Sequence, residues 1–211
     1  MPLPDDLEAL RARPLRRPDL DPDPLRQFEA WFDEARETGV DFAHAIALAT
    51  ATPDGLPSLR MVLLKEFDGG GFTFHTNLRS RKGAELDANP RAALLAYWHP
   101  LGRQVRVEGA VERLASEDAD SYFAKRPLGA RFAAIASEQS QPIESREALE
   151  ARVGELERRY PNAEPPRPEH WGGFRLVPDR YEFWQHRENR LHDRFRYERG
   201  DDHWVIERLQ P

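Results

Sequence analysis

The chain has 211 residues, 31 Lys and Arg against 37 Asp and Glu, a formal net charge of −6 and a mean hydropathy of −0.76. Its size suits one domain burying roughly 70% of the unfolded surface, a core that needs no staple. The acidic balance argues against nucleic acid as a partner, and zero cysteines remove disulfides, thiolate catalysis, zinc ribbons and iron–sulfur clusters.

The opening MPLPDDLEALRARP carries acids where a signal peptide is apolar, and no uncharged apolar run approaches about 20 residues. A cytoplasmic protein with no membrane partner is therefore expected. Residues 1–22 are rich in Pro, Arg and Asp without a sustained period, which predicts an extended or mobile arm ahead of a single domain over 23–211. Asp23 as N-cap, Pro24 at the first helical position, the stripe Leu25, Phe28, Trp31, Phe32 and Ala35, and Gly39 at the end predict an amphipathic helix.

From residue 44 the pattern becomes β-like. HAIALATAT, LPSLRMVLLKEF and GFTFHT, separated by PDG and DGGG, predict three antiparallel strands. SRKGAELDA predicts a helix, and RAALLAYW and RQVRVEGAVERL two further strands. In the second, Val105, Val107 and Val111 oppose Gln104, Arg106 and Glu108, the alternation of a half-buried strand. SEDADSYFAKRP predicts a helix capped by Ser116 and stopped by Pro127, and SREALEARVGELERRY a solvated surface helix. After the proline-stiffened PNAEPPRPEHWGG come GFRLVP, RYEFWQ, DRFRYER and HWVIERL as closing strands. Seven or eight antiparallel strands with few helices predict a closed or partly closed barrel, mainly β with flanking helices.

The nucleotide-loop, zincin and hydrolase-elbow motifs do not occur, and no histidine pair has helical metal-ligand spacing, so no metal is expected. Two segments concentrate cations. Thr76 to Gly83 (TNLRSRKG) puts Arg81 and Lys82 in a first helical turn behind the N-cap Ser80, where the helix dipole is already positive. A bound phosphate explains such an arrangement, and a basic turn without a ligand is the other reading. If Asn189 to Phe195 (NRLHDRF) is extended, Arg190, His192 and Arg194 share one face, either a cationic wall for an anionic or electron-rich ligand or a salt-bridged surface strand. Arg60 and Lys65 bracket Met61 to Leu64, and Tyr122 and Arg126 lie four apart on one helix face.

These segments carry a resemblance to a known family. DPLRQFEAWFDEA, RMVLLKEFD, FHTNLRSRKGAEL, NPRAALLAYW, RQVRVEGAVERL, SYFAKRP, EQSQ, WGGFR, EFWQ and RLHDRFRYER run in the order of the pyridoxine/pyridoxamine 5′-phosphate oxidase family, from about residue 17 to the last residue. The resemblance implies an FMN-binding split β-barrel homodimer with active sites at the subunit interface. It implies oxidation of pyridoxamine and pyridoxine 5′-phosphate to pyridoxal 5′-phosphate by O2, with release of H2O2. It assigns FMN to Arg60, Met61, Val62, Leu63, Leu64, Lys65, His75, Thr76, Arg81, Lys82 and Gln104, with Gln139, Ser140, Trp184 and Arg194 from the partner subunit. Lys65, Tyr122 and Arg126 would take the substrate phosphate, and Arg190 and His192 the pyridine ring as the catalytic pair. The chain departs from the family in two places: after RP, Ala130 stands where serine is usual and Ile135 where Trp is common, and the N-terminal arm lacks the Tyr-containing stretch that covers the substrate in some members, so no lid contacts are carried over. A related flavin oxidase of phenazine type and a non-catalytic flavin-binding split barrel are the alternatives.

Overall fold

A computed structural model describes residues 5–161 and 163–211. Eight antiparallel strands are formed: β1 (Ala45–Ala51), β2 (Pro57–Asp68), β3 (Gly71–Asn77), β4 (Arg91–Trp98), β5 (Arg103–Arg113), β6 (Trp171–Gln185), β7 (Asp193–Arg199) and β8 (Trp204–Arg208). They follow the order β3-β2-β1-β4-β5-β6-β7-β8, and β3 also pairs with β6. That extra pairing closes six strands into a barrel and leaves β7 and β8 as an extension, so the barrel has no free edge.

The strand β6 belongs to both parts. Its first half pairs with β3, from Asn77 opposite Trp171 to Phe72 opposite Leu176, and its second half with β7. The sequence reading expected two strands here, GFRLVP and RYEFWQ. They are one, because Pro178 and Asp179 are absorbed as a bulge where the β5 register shifts between Glu108 and Gly109. A bulge tolerates the missing proline N–H and bends the strand out of the barrel.

Helix α2 (Pro24–Glu37) covers one barrel face as the sequence predicted. The Asp23 carboxylate accepts from the Leu25 N–H at 2.9 Å, and Phe28, Trp31 and Ala35 are buried. Phe28 meets Phe72 edge-on at 4.9 Å and Trp31 meets Phe183 at 5.3 Å. Each such ring contributes about 1.5–3 kcal/mol through its burial.

Ahead of it, the expected arm is not extended. Asp5–Ala12 forms helix α1, and Leu7, Leu15 and Leu20 enter the core. Polar contacts hold the segment too: Leu15 N–H donates to Asp193 Oδ2 at 3.2 Å and the Tyr197 hydroxyl to the Asp21 carbonyl at 2.8 Å. Residues 1–4 of that arm lie outside the described residues.

The remaining helices are α3 (Arg81–Ala88), α4 (Ser116–Ala124), α5 (Leu128–Ala136) and α6 (Arg146–Arg159). Helix α5 was not anticipated: Pro127 does not only end the preceding helix but serves as the N-cap of the next. Helix α6 buries no residue, as expected for a solvated helix. No helix among the described residues is long and apolar enough to cross a membrane.

Candidate active site

Residues of β3 alternate between two cationic clusters. At the barrel end, β3 hands over to α3 through Leu78 to Ser80. Ser80 caps the helix, and its hydroxyl accepts from the Gly83 N–H at 3.4 Å. A Cβ on Gly83 would stand 2.0 Å from the Leu78 carbonyl oxygen, so only glycine lets the helix start this close to the strand. Alanine normally favours a helix interior by about 1 kcal/mol, yet Gly83→Ala is expected to lose about 1–3 kcal/mol by overpacking, as thermal unfolding would measure.

That close approach buries Lys82. Its ammonium donates to Thr76 Oγ1 and Ser80 Oγ, both at 3.1 Å, and to Gln139 Oε1 at 2.7 Å. All three acceptors are neutral, and burial, then the Arg60 charge, lowers the lysine from 10.5 to about 8. Arg60 reaches the same region from β2, donating to the Leu48 carbonyl at 3.0 Å and Thr50 Oγ1 at 2.6 Å. Glu85 balances part of the charge, paired with Arg60 at 3.3 Å and Arg81 at 2.8 Å. Burial would raise this carboxyl, but hydrogen bonds from Ser58, Thr50 and Arg81 prevail and hold it at about 2. Arg60, Arg81 and Lys82 therefore face a single carboxylate, a donor set with charge left over for an anion such as a phosphate.

The second cluster lies on the other side of β3, under α4. The His75 ring stacks on Tyr122 at 4.0 Å and 13° and lies 5.3 Å from Trp171. A Cβ on the facing residue, Gly173, would come within 3.0 Å of the imidazole, so glycine makes room for it. Lys65 stands at the bulge between Leu64 and Glu66, its ammonium 5.7 Å from the Tyr122 ring centre. Arg126 lies over Trp171 at 4.9 Å. Neither ring nitrogen of His75 has a hydrogen-bond partner among the described residues, and burial, then the charges of Lys65 and Arg126, lowers the imidazole to about 4.

The structure thus brings together Lys65, His75, Tyr122 and Arg126 in one cluster and Arg60, Thr76, Arg81, Lys82, Gln139 and Ser140 in the other. Gln139 and Ser140 were expected from a partner subunit. They close onto their own chain instead, Ser140 Oγ accepting from the Arg81 N–H at 3.2 Å, because the loop after α5 turns sharply at Ser140 with φ of +75°. In the run between Arg60 and Lys65, Met61 and Leu63 are exposed, Val62 packs against the core and Leu64 is buried. Sequence reasoning missed Glu85, although its four-residue spacing from Arg81 was visible, and gave Trp171 no role.

A third group is separate on the chain. Gln104, Trp184 and Arg194 follow one another across β5, β6 and β7 on the barrel's outer face. Gln104 and Trp184 line a cleft of about 280 Å³ with Leu59, Arg106 and Glu182. Arg194 is tied to Glu182 at 2.7 Å. The expected common face of Arg190, His192 and Arg194 is not formed. Asn189 and Arg190 turn through φ of +54° and +62°, and the strand begins only at Asp193. Arg190 is left exposed in this turn, while His192 folds back so that Nδ1 accepts from the Arg187 N–H at 3.1 Å and its ring lies 4.5 Å from Trp184.

Comparison with known proteins decides the family. Residues 32–160 match the family model "Pyridoxamine 5'-phosphate oxidase", and residues 171–211 match "Pyridoxine 5'-phosphate oxidase C-terminal dimerisation region". The chain belongs to the pyridoxamine 5′-phosphate oxidase family. It is 58% identical over 191 residues to the pyridoxine/pyridoxamine 5′-phosphate oxidase of Rubrobacter xylanophilus, covering 90% of this chain and 88% of that one. The Bordetella pertussis enzyme of the same name is 55% identical, covering 89% of each chain. Among solved structures, PhzG from Burkholderia lata in complex with tetrahydrophenazine-1-carboxylic acid superposes with a TM-score of 0.89 at 34% identity, over 95% of this chain and all of that one. The chain is thus an oxidoreductase of the pyridoxamine 5′-phosphate oxidase family with that family's split-barrel fold.

Proposed function

We propose that the protein is an FMN-dependent oxidase of pyridoxamine and pyridoxine 5′-phosphate, with O2 as oxidant and pyridoxal 5′-phosphate and H2O2 as products. The observation that carries the reading is the pair of cationic clusters served by neighbouring residues of one strand, Thr76 and His75, two anion sites for two phosphorylated ligands. Arg60, Arg81 and Lys82 would hold the FMN phosphate, Lys82 as the buried ammonium whose present partners are all neutral. Bound FMN supplies the two-electron acceptor that no side chain of this cysteine-free chain offers.

Lys65 and Arg126 bind the substrate phosphate, with the Tyr122 hydroxyl beside them. Fixing the phosphate restrains the pyridine ring and turns binding energy into orientation. His192, which lies beside Trp184 in the separate group, and Arg190, two residues before it, would reach the pyridine ring from the second subunit of a dimer. His75 stays neutral above about pH 5 and adds no charge to the pocket. Incubating the purified protein with each candidate, and following aldehyde and peroxide together, tests the reading: phosphorylated vitamers should yield both in equal amounts. The similarity to PhzG favours one competitor, a ring substrate of phenazine type. It predicts turnover of a substrate without phosphate and indifference to Arg126.

The working unit in this reading is a homodimer. Leu59 and Met61 are 70% and 62% exposed, and with Leu63 and Tyr97 they make an apolar outer face on β2 and β4. A patch of this kind marks an interface. A second copy on it, joined by the C-terminal region after residue 171, would let Gln104, Trp184 and Arg194 of one subunit complete the site of the other. Leu59→Glu is expected to give a folded monomer in sedimentation experiments and to weaken FMN binding, since a carboxylate cannot be buried there without a partner.

A further inference from the structure

Arg126 stands in the short break between α4 and α5, where the chain leaves one helix at Ala124 and enters the next at Leu128. Carbonyls in such a break lose their helical partners and must be satisfied from elsewhere. Here Arg131, 7% exposed on α5, reaches back to them: its Nε donates to the Arg126 carbonyl at 2.8 Å and its Nη2 to the Ala124 carbonyl. Its outer edge pairs with Glu164 at 3.0 Å. Glu164 belongs to the proline-stiffened segment that continues to Arg167, which holds Asp120 of α4 and the Trp171 carbonyl, both at 2.6 Å. The Arg126 guanidinium is in turn steadied by the Ala130 carbonyl at 3.1 Å and the Trp171 ring.

We propose that Arg131, with Glu164 as its counter-ion, is a positioning residue for recognition of the substrate phosphate, fixing the α4–α5 junction so that Arg126 is held ready for the anion. The inference deepens the assignment of Arg126 to that phosphate and rests on it. Ala130 offers no side-chain hydroxyl, so phosphate recognition at this junction depends on where the backbone holds the Arg126 guanidinium. Glutamine at 131 could donate to one of the two carbonyls but not to both while keeping the pair with Glu164. Lysine keeps the charge but not the planar fork.

The experiment compares steady-state turnover of pyridoxamine 5′-phosphate with that of unphosphorylated pyridoxamine in the FMN-loaded enzyme. Arg131→Gln is expected to raise KM for the phosphorylated substrate about tenfold, with kcat changed less than about threefold and KM for pyridoxamine unmoved. Glu164→Gln should shift the same constant in the same direction by less. Arg131→Gln added to Arg126→Ala should change KM no further, because a residue that acts through Arg126 has nothing left to act on. Equal effects on both substrates, or additive effects in the double variant, would overturn the proposal. Should Arg131→Gln fail to fold, Arg131→Lys and Glu164→Gln carry the same comparison, and unchanged discrimination in both would equally overturn it. Arg126→Ala alone separates the two levels. If it affects both substrates equally, the phosphate assignment itself fails; if it is selective while the Arg131 variants are not, only the positioning role is lost.

Discussion

Arg126→Ala is expected to raise KM for pyridoxamine 5′-phosphate on the order of 30- to 100-fold, the equivalent of about 2–3 kcal/mol for a charge-assisted hydrogen bond. The guanidinium is partly withdrawn from water, lying against Trp171 and bonded to the Ala130 carbonyl, so little of its attraction for an anion is screened. Unphosphorylated pyridoxamine should show almost no change, since it brings nothing for this group to bind. Flavin content should also stay constant, because Arg126 belongs to the cluster under α4 and not to the one at the start of α3. Parallel kinetics with the two substrates and a flavin absorbance spectrum check all three outcomes, and equal losses with both substrates would remove Arg126 from phosphate recognition.

Lys82→Ala should weaken FMN by about 1.5–3 kcal/mol in a fluorescence-quenching titration, for the same reason at the other cluster. The wild-type titration should also depend on pH. In the ligand-free protein this lysine titrates at about 8 instead of 10.5, so the charge that attracts the phosphate is present below pH 8 and lost above it. Affinity should therefore be flat from pH 6.5 to 7.5 and fall from pH 8 upward, while Lys82→Arg, charged throughout, should show no such fall. Stability of the ligand-free protein should move the other way. Between pH 8 and 10.5 the folded state binds fewer protons at Lys82 than the unfolded chain, so this residue adds stability as pH rises through that window. Weaker cofactor binding alongside firmer folding is a combination that general alkaline damage would not produce.

Much of this was legible in the chain, for identifiable reasons. Helix α2 was announced by Asp23 and Pro24 and by a stripe with one period, and most strands by alternation between turn residues. The N-cap Ser80 and the two cations after it marked the cationic cluster at the start of α3, because capping and charge act within one helical turn. What escaped depended on distant packing or on unusual backbone. Leu7, Leu15 and Leu20 follow no period, and only the barrel surface they cover makes them core. GFRLVP and RYEFWQ read as two strands, but the long pairing with β5 makes Pro178 and Asp179 a bulge within one. The alternation assumed for Arg190, His192 and Arg194 failed because two non-glycine residues, Asn189 and Arg190, adopt left-handed conformations that no local signal announces. Gln139 and Ser140, expected from a partner subunit, bond Lys82 and Arg81 of their own chain, since sequence order says nothing about which helix a returning loop meets.

The alternation of Thr76 and His75 to opposite sides of β3 has a consequence for how such an enzyme changes over time. One anion pocket is built from the α3 start and its glycine, the other from α4, the α4–α5 junction and the strap through Glu164 and Arg167. They share strands β2 and β3 but no helix. On the proposed assignment, substitutions around Arg126 and Arg131 would retune what is oxidised while Lys82, Ser80 and Gly83 keep the redox cofactor in place. On that assignment the barrel is a fixed handle with an exchangeable tip, in which a new ring substrate would be acquired without rebuilding the flavin site.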